Sequence, residues 1–178
     1  LVVTDKDLVK FGVAAQVTDV LKAAGIPFEM FDEVKPNPTV KNVKNGIAAF
    51  KAAGADFIVA IGGGSSMDTS KAVGIIINNP EFADVRSLEG VAPTKRHAVF
   101  TVAVPTTAGT GSETTIAAVI TGRDHRKYAV SDLCLIPRYA ILDPTLSAGL
   151  PPHITAETGM DALTHAVEAY LSRFYNTR

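Results

Sequence analysis

The 178-residue chain is 47% hydrophobic and 20% charged, which is enough apolar material for one sizeable core and too much for a disordered segment. Its 17 Lys plus Arg against 18 Asp plus Glu leave a net charge of -1, so there is no electrostatic footprint for nucleic acid or an anionic membrane surface. No apolar run approaches the roughly 20 residues of a membrane span, and the single cysteine, Cys134, cannot form an internal disulfide, which points to a reduced, cytoplasmic setting and to a core role for that thiol.

Taken in order, residues 1–4 read as a strand ending at Asp5, and because Leu1 already stands inside an apolar run, a preceding segment is expected. Apolar positions from Leu8 to Ala24 recur at spacings of three or four and predict one helix over 7–24, closed by Gly25. Residues 27–31 predict a second strand. Pro36 and Pro38 around Asn37 force a loop, and a helix follows from about 38 or 39 to 53.

Residues 56–71, DFIVAIGGGSSMDTSK, are the centre of the pattern. An apolar strand over 57–61 runs into a turn at 62–64 and then a helix over 66–78, with Ser65 expected as its N-cap. Glycines that open a helix let backbone N–H groups approach a phosphate, which the helix dipole also favours. The spacing is neither G-x-G-x-x-G nor a Walker A loop, and these residues alone do not decide between a phosphate cradle and a tight connection.

Residues 80–97 read as irregular. A strand over 99–104 leads into the hydroxyl-rich loop PTTAGTGSE, residues 105–113; segments 114–121 and 128–130 predict a strand pair around Gly122, and 139–142 a last strand. The repeated alternation predicts an α/β fold, a Rossmann-like doubly wound, mostly parallel sheet. Asp5, the glycine turn, the hydroxyl loop and Asp143 all follow strands, so such a sheet gathers them along one edge. Prolines 151 and 152 mark a change near Leu150, after which 155–170 reads as a helix opening an all-helical second domain. The expected division is 1–150 and 151–178, with the second part continuing past Arg178.

Several residues carry alternative readings. Asp5 suits both a ribose-binding carboxylate and the N-cap of the following helix. Asp161 and His165, four apart, share one helix face and can reach one cation, or simply bond each other. Lys127 can pair with a ligand or stand solvated, and His97, His125 and His153 are expected at the surface.

The succession VTD, KPNPT, AIGGGSSMDTSKA, AVPTTAGTGSE, DP and TGMDALTHAVEAY resembles the iron-containing group of NAD(P)-dependent alcohol dehydrogenases over essentially the whole chain. Residues 78–90, NNPEFADVRSLEG, look most like members that interconvert lactaldehyde and 1,2-propanediol. The resemblance implies an enzyme that moves a hydride between NAD and a small alcohol or aldehyde with a divalent metal, Fe2+ or alternatively Zn2+, polarising the carbonyl oxygen. It implies a ribose contact at Asp5, further cofactor contacts at Asn37, Lys127 and Leu146, a pyrophosphate turn at Gly63, Gly64 and Ser65 with Asp68 close behind, and a nicotinamide-side loop at Thr106, Thr107 and Thr110. Asp161 and His165 match two metal ligands, the other two being histidines beyond Arg178, so the 178 residues alone are expected to be inactive. A homodimer is compatible. Rival readings are a same-fold polyol dehydrogenase or dehydroquinate-synthase-like enzyme, and a nucleotide-binding module without catalysis.

Overall fold

β-Branched, small apolar and, at the two outer strands, larger apolar or aromatic residues form a central sheet: β1 (Val2–Val3), β2 (Met30–Phe31), β3 (Ile58–Gly62), β5 (Thr101–Pro105) and β8 (Tyr139–Ala140). The computed structural model describes residues 1–91, 94–122 and 124–172. The sheet order is β2-β1-β3-β5-β8 with every neighbouring pair parallel, in a register that sets Val2 beside Val59 and Gly62 beside Pro105. Strand β3 is buried along its whole length, as a central strand covered on both faces must be. The expected Rossmann-like parallel sheet is therefore present.

Alternation along the strands divides the core into two layers. Val3 and Ile58 pack with Phe31, Val43 and Val73 under α3 (Val40–Ala52) and α4 (Gly64–Asn78), whereas Val2, Val59, Ile61 and Val104 point the other way onto α2 (Val13–Ala23) and Leu146. Leu146 sits in α5 (Thr145–Ala148).

Helix α4 is buried nearly all round, from Ser66 to Ile76. A second small sheet explains why. The expected strand pair forms an antiparallel hairpin of β6 (Ala117–Thr121) and β7 (Lys127–Ser131), joined by β4 (Gly90–Val91), and its Ala118, Ile120 and Val130 close over the outer side of α4.

The structure departs from the local periodicity in several places, among them the strand expected over 27–31, of which only Met30–Phe31 is paired. The helix expected over 7–24 is split into α1 (Lys6–Lys10) and α2, because Gly12 adopts φ 76°, a left-handed conformation that interrupts the helical ladder. Ser65 is not an N-cap: α4 begins at Gly64, Gly63 occupies the cap position, and no side chain caps the turn. The irregular stretch 80–97 holds two short 3-10 turns, Pro80–Phe82 and Val85–Leu88, and strand β4; its residues 92 and 93 lie outside the described residues. Cys134 is half-buried against the core, as its apolar surroundings predict.

The last described element, α6 (Pro152–Leu171), starts three residues earlier than the periodicity predicts, with Pro152 in its first turn, a position where the missing N–H costs nothing. None of its residues is fully buried; Ile154, Thr158 and Asp161 are half-buried on one face. Residues 173–178 of the expected second domain lie outside the described residues.

Candidate cofactor and metal site

The strand order reverses direction between β1 and β3, since the chain leaves β1 to one side for β2 and to the other for β3. Connections then diverge and leave a crevice beyond the carboxyl ends of those two strands, the usual ligand position of such sheets. Asp5 follows β1 and Gly63 follows β3, and both line a cleft of about 780 Å³. Gly64, Ser65, Thr106 and Thr107 line it too, with Leu150, Pro151 and Ile154 as the opposite wall.

The turn at 63–65 is held by direct packing on the hydroxyl loop. A Cβ placed on Gly63 would lie 3.1 Å from Thr107 Oγ1, and one on Gly64 would lie 3.1 Å from Thr110 Cγ2. The missing side chains thus admit the loop as well as any ligand. With no side-chain cap on a 15-residue helix, the first-turn N–H groups and the positive end of the dipole face the cleft, which suits an anionic group. A nucleotide pyrophosphate fits that turn.

Asp5 fulfils its capping role: its Oδ1 accepts from Leu8 N–H at 2.9 Å. Across the cleft mouth the loop after β2 contributes Asp32 to Pro36, anchored because Asn42 Nδ2 donates to Glu33 O at 2.8 Å while Asn42 completes a capping box with Thr39. Asn37, at φ 54°, follows this loop. Its neighbour Pro38 accepts at 2.7 Å from Thr121 N–H, and Thr121 pairs with Lys127, so Asn37 and the exposed Lys127 lie near each other, but neither is among the residues that line the cleft.

Three sequence-derived candidates lie behind the wall instead of lining it. Leu146 is buried in the lower core layer. Thr110 packs on Gly64 and accepts from Ser112 N–H at 3.3 Å. Asp68 accepts from Ser112 Oγ at 2.7 Å and from Val119 N–H at 3.0 Å; burial raises its pKa above the ordinary carboxylate value, against those bonds and Lys71.

Lys71 was missed by the sequence reading as a site-related residue. It is 1% exposed, and its Nζ donates to Ser112 Oγ (3.0 Å), Thr115 Oγ1 (2.9 Å) and Ala117 O (2.9 Å). Burial lowers its pKa to about 8, opposed by Asp68 and Glu113. The available signal was a lysine three residues after Asp68 at the head of the apolar run AVGIII.

On α6, His165 Nε2 stands 3.7 Å from Asp161 Oδ1, the one-turn proximity that their spacing requires. Among the described residues no group of three or more His, Cys, Asp or Glu side chains converges. A carboxylate oxygen with an imidazole nitrogen is nonetheless a donor pair that fits a divalent ion. His97, His125 and His153 are exposed, as expected.

The family model described as iron-containing alcohol dehydrogenase matches residues 1–144. The chain belongs to that family. Lactaldehyde reductase of Escherichia coli (strain K12) is 53% identical over 174 residues, which are 97% of this chain and 46% of that protein. The crystal structure of a 1,3-propanediol oxidoreductase superposes with a TM-score of 0.94 at 41% identity, covering 99% of this chain and 46% of the other. Sulfoacetaldehyde reductase from Bifidobacterium kashiwanohense, solved in complex with NAD+, gives a TM-score of 0.85 at 36% identity over 97% of this chain and 45% of that one. The chain spans about half the length of the relatives it matches. No helix among the described residues is long and apolar enough to cross a membrane.

Proposed function

We propose that this chain is the cofactor-binding part of an NAD(H)-dependent oxidoreductase interconverting a small alcohol and its aldehyde, of the lactaldehyde and 1,2-propanediol type, with Fe2+ or Zn2+ held in part by Asp161 and His165. The observation that carries this reading is convergence: Asp5, the uncapped turn Gly63–Ser65 and Thr106–Thr107 line one cleft, whose far wall is the start of the helix bearing Asp161 and His165. The sulfoacetaldehyde reductase complex with NAD+ and the lactaldehyde reductase likeness support it.

The chain's own residues would act mainly by placement. One Asp5 oxygen is committed to Leu8, leaving the other to accept from a ribose hydroxyl, where its charge would repel a 2'-phosphate. The first-turn amides of α4 would bind the pyrophosphate, and the Thr106 and Thr107 hydroxyls would orient the nicotinamide half. When bound, the nicotinamide supplies the hydride and the metal supplies Lewis acidity toward the carbonyl oxygen. The hydroxyl loop and α6 would exclude water from one side of the reacting groups.

The test is metal content and NADH-linked reduction of lactaldehyde, for these 178 residues, for the longest gene product containing them, and for His165→Ala in that product. Two ligands are fewer than a catalytic metal needs, so the 178 residues alone should hold metal weakly and turn nothing over. The longer product should be active, and His165→Ala should lose metal and activity together while keeping NADH binding. Full activity in the variant would refute the metal assignment. NADH binding without turnover in the longer product would favour a non-catalytic nucleotide module, and activity on glycerol instead of lactaldehyde a polyol dehydrogenase.

A further inference from the structure

We propose that Lys71 and Asp68 form an internal latch that holds the hydroxyl loop, residues 106–115, against the glycine turn, which makes Lys71 a positioning residue for the nicotinamide side of the cleft. The functional meaning of the latch rests on the NAD(H) reading above; its existence as a loop clamp does not.

The geometry is a continuous chain of contacts. Lys71 lies two turns along α4 from Gly64, in a helix buried nearly all round. Its three donors are spent on Ser112 and Thr115 in the last part of the loop and on Ala117 O just beyond it. Ser112 Oγ, accepting from Lys71, directs its own proton to Asp68 Oδ1, so the hydroxyl is oriented from both sides. Ser112 N–H bonds Thr110 Oγ1, and Thr110 Cγ2 abuts Gly64. The path from Lys71 thus returns to the turn from which α4 starts.

An apolar side chain would fill this place at less energetic cost, because burying an ammonium and a carboxylate is unfavourable. Directional bonds are what the charged pair adds. Apolar packing tolerates sliding, whereas three fixed donors meeting three acceptors 41 to 46 residues away specify one loop position.

The experiment measures hydrogen exchange, thermal midpoint and ligand affinity for the wild-type chain, Lys71→Met, Ser112→Ala and Thr115→Val. Amides of 106–115 should exchange at least tenfold faster in Lys71→Met and in Ser112→Ala, while those of α4 stay protected. NADH should bind at least tenfold more weakly, with ADP affinity changed less than twofold, since ADP lacks the nicotinamide half; general destabilisation would weaken both. Unchanged exchange in 106–115 overturns the latch. Parallel loss of NADH and ADP affinity overturns the positioning role. If Lys71→Met does not fold, Ser112→Ala and Thr115→Val decide by the same readouts. If the wild-type chain takes no NADH, the cofactor reading and the positioning role fall, while loop exchange still decides the clamp.

Discussion

Gly109 packs so closely on Thr158 that a Cβ at residue 109 would lie 2.4 Å from the Thr158 carbonyl oxygen. This contact joins the hydroxyl loop to α6, one helical turn before Asp161. Because the obstructing atom is helix backbone, Gly109→Ala must displace α6 or the loop. The expected loss is about 1–3 kcal/mol, typical of overpacking, read by urea unfolding, together with slower turnover in the longest gene product. A variant as stable and as active as the parent would mean that α6 is free to shift.

The glycine turn predicts a graded response. Gly64→Ala puts a methyl 3.1 Å from Thr110 Cγ2, a contact that a shift of a few tenths of an ångström relieves, so NADH affinity should fall only several-fold. Gly64→Val adds branches that press on the loop and intrude on the anion cradle, and should weaken NADH at least a hundredfold in fluorescence titration without unfolding the chain. Equal affinities for the two variants would contradict a steric origin.

Asp5 combines two roles that substitutions can separate. Asp5→Ala removes both the cap on Leu8 and the charge, costing about 1 kcal/mol of stability, whereas Asp5→Ser keeps a capping oxygen and removes only the charge. Both should relax a preference for NADH over NADPH, and only Asp5→Ala should lower the thermal midpoint. Equal binding of NADH and NADPH by the parent chain would exclude Asp5 as the discriminating group.

Lys71 predicts two opposite pH responses. Its pKa falls from 10.5 to about 8 on folding, so between those values the unfolded chain binds a proton that the folded chain does not, and stability rises with pH across that window. Relative to Lys71→Met, the parent should gain on the order of 2 kcal/mol between pH 7 and 10 in urea unfolding. Deprotonation also removes one of the three donors, so NADH affinity should weaken as pH passes 8. A pH-independent difference between the two chains would show that Lys71 keeps its ordinary pKa.

The sequence by itself determined the alternation of strands and helices, the glycine turn and the positions after strand ends where Asp5 and Thr106 fall. These follow from local periodicity and from backbone preferences within a few residues. The spacing of Asp161 and His165 likewise fixed their shared helix face. Tertiary structure decided what depends on distant segments meeting. The hairpin 117–131 forms its own sheet over α4 instead of extending the central one, because its Ile120 and Val130 cover a helix whose outer face would otherwise be exposed. The same closure brings Ser112 to Lys71 and Asp68. The apolar run after Lys71 signals its burial, but nothing local names the three acceptors, which arrive from 41 to 46 residues away. The family resemblance implies ligand contacts at Thr107 and Thr110; only the fold shows that, by packing on Gly63 and Gly64, both also shape the turn. Which atoms line a cleft depends on how its walls stack, and stacking is set by contacts that periodicity along the chain does not record.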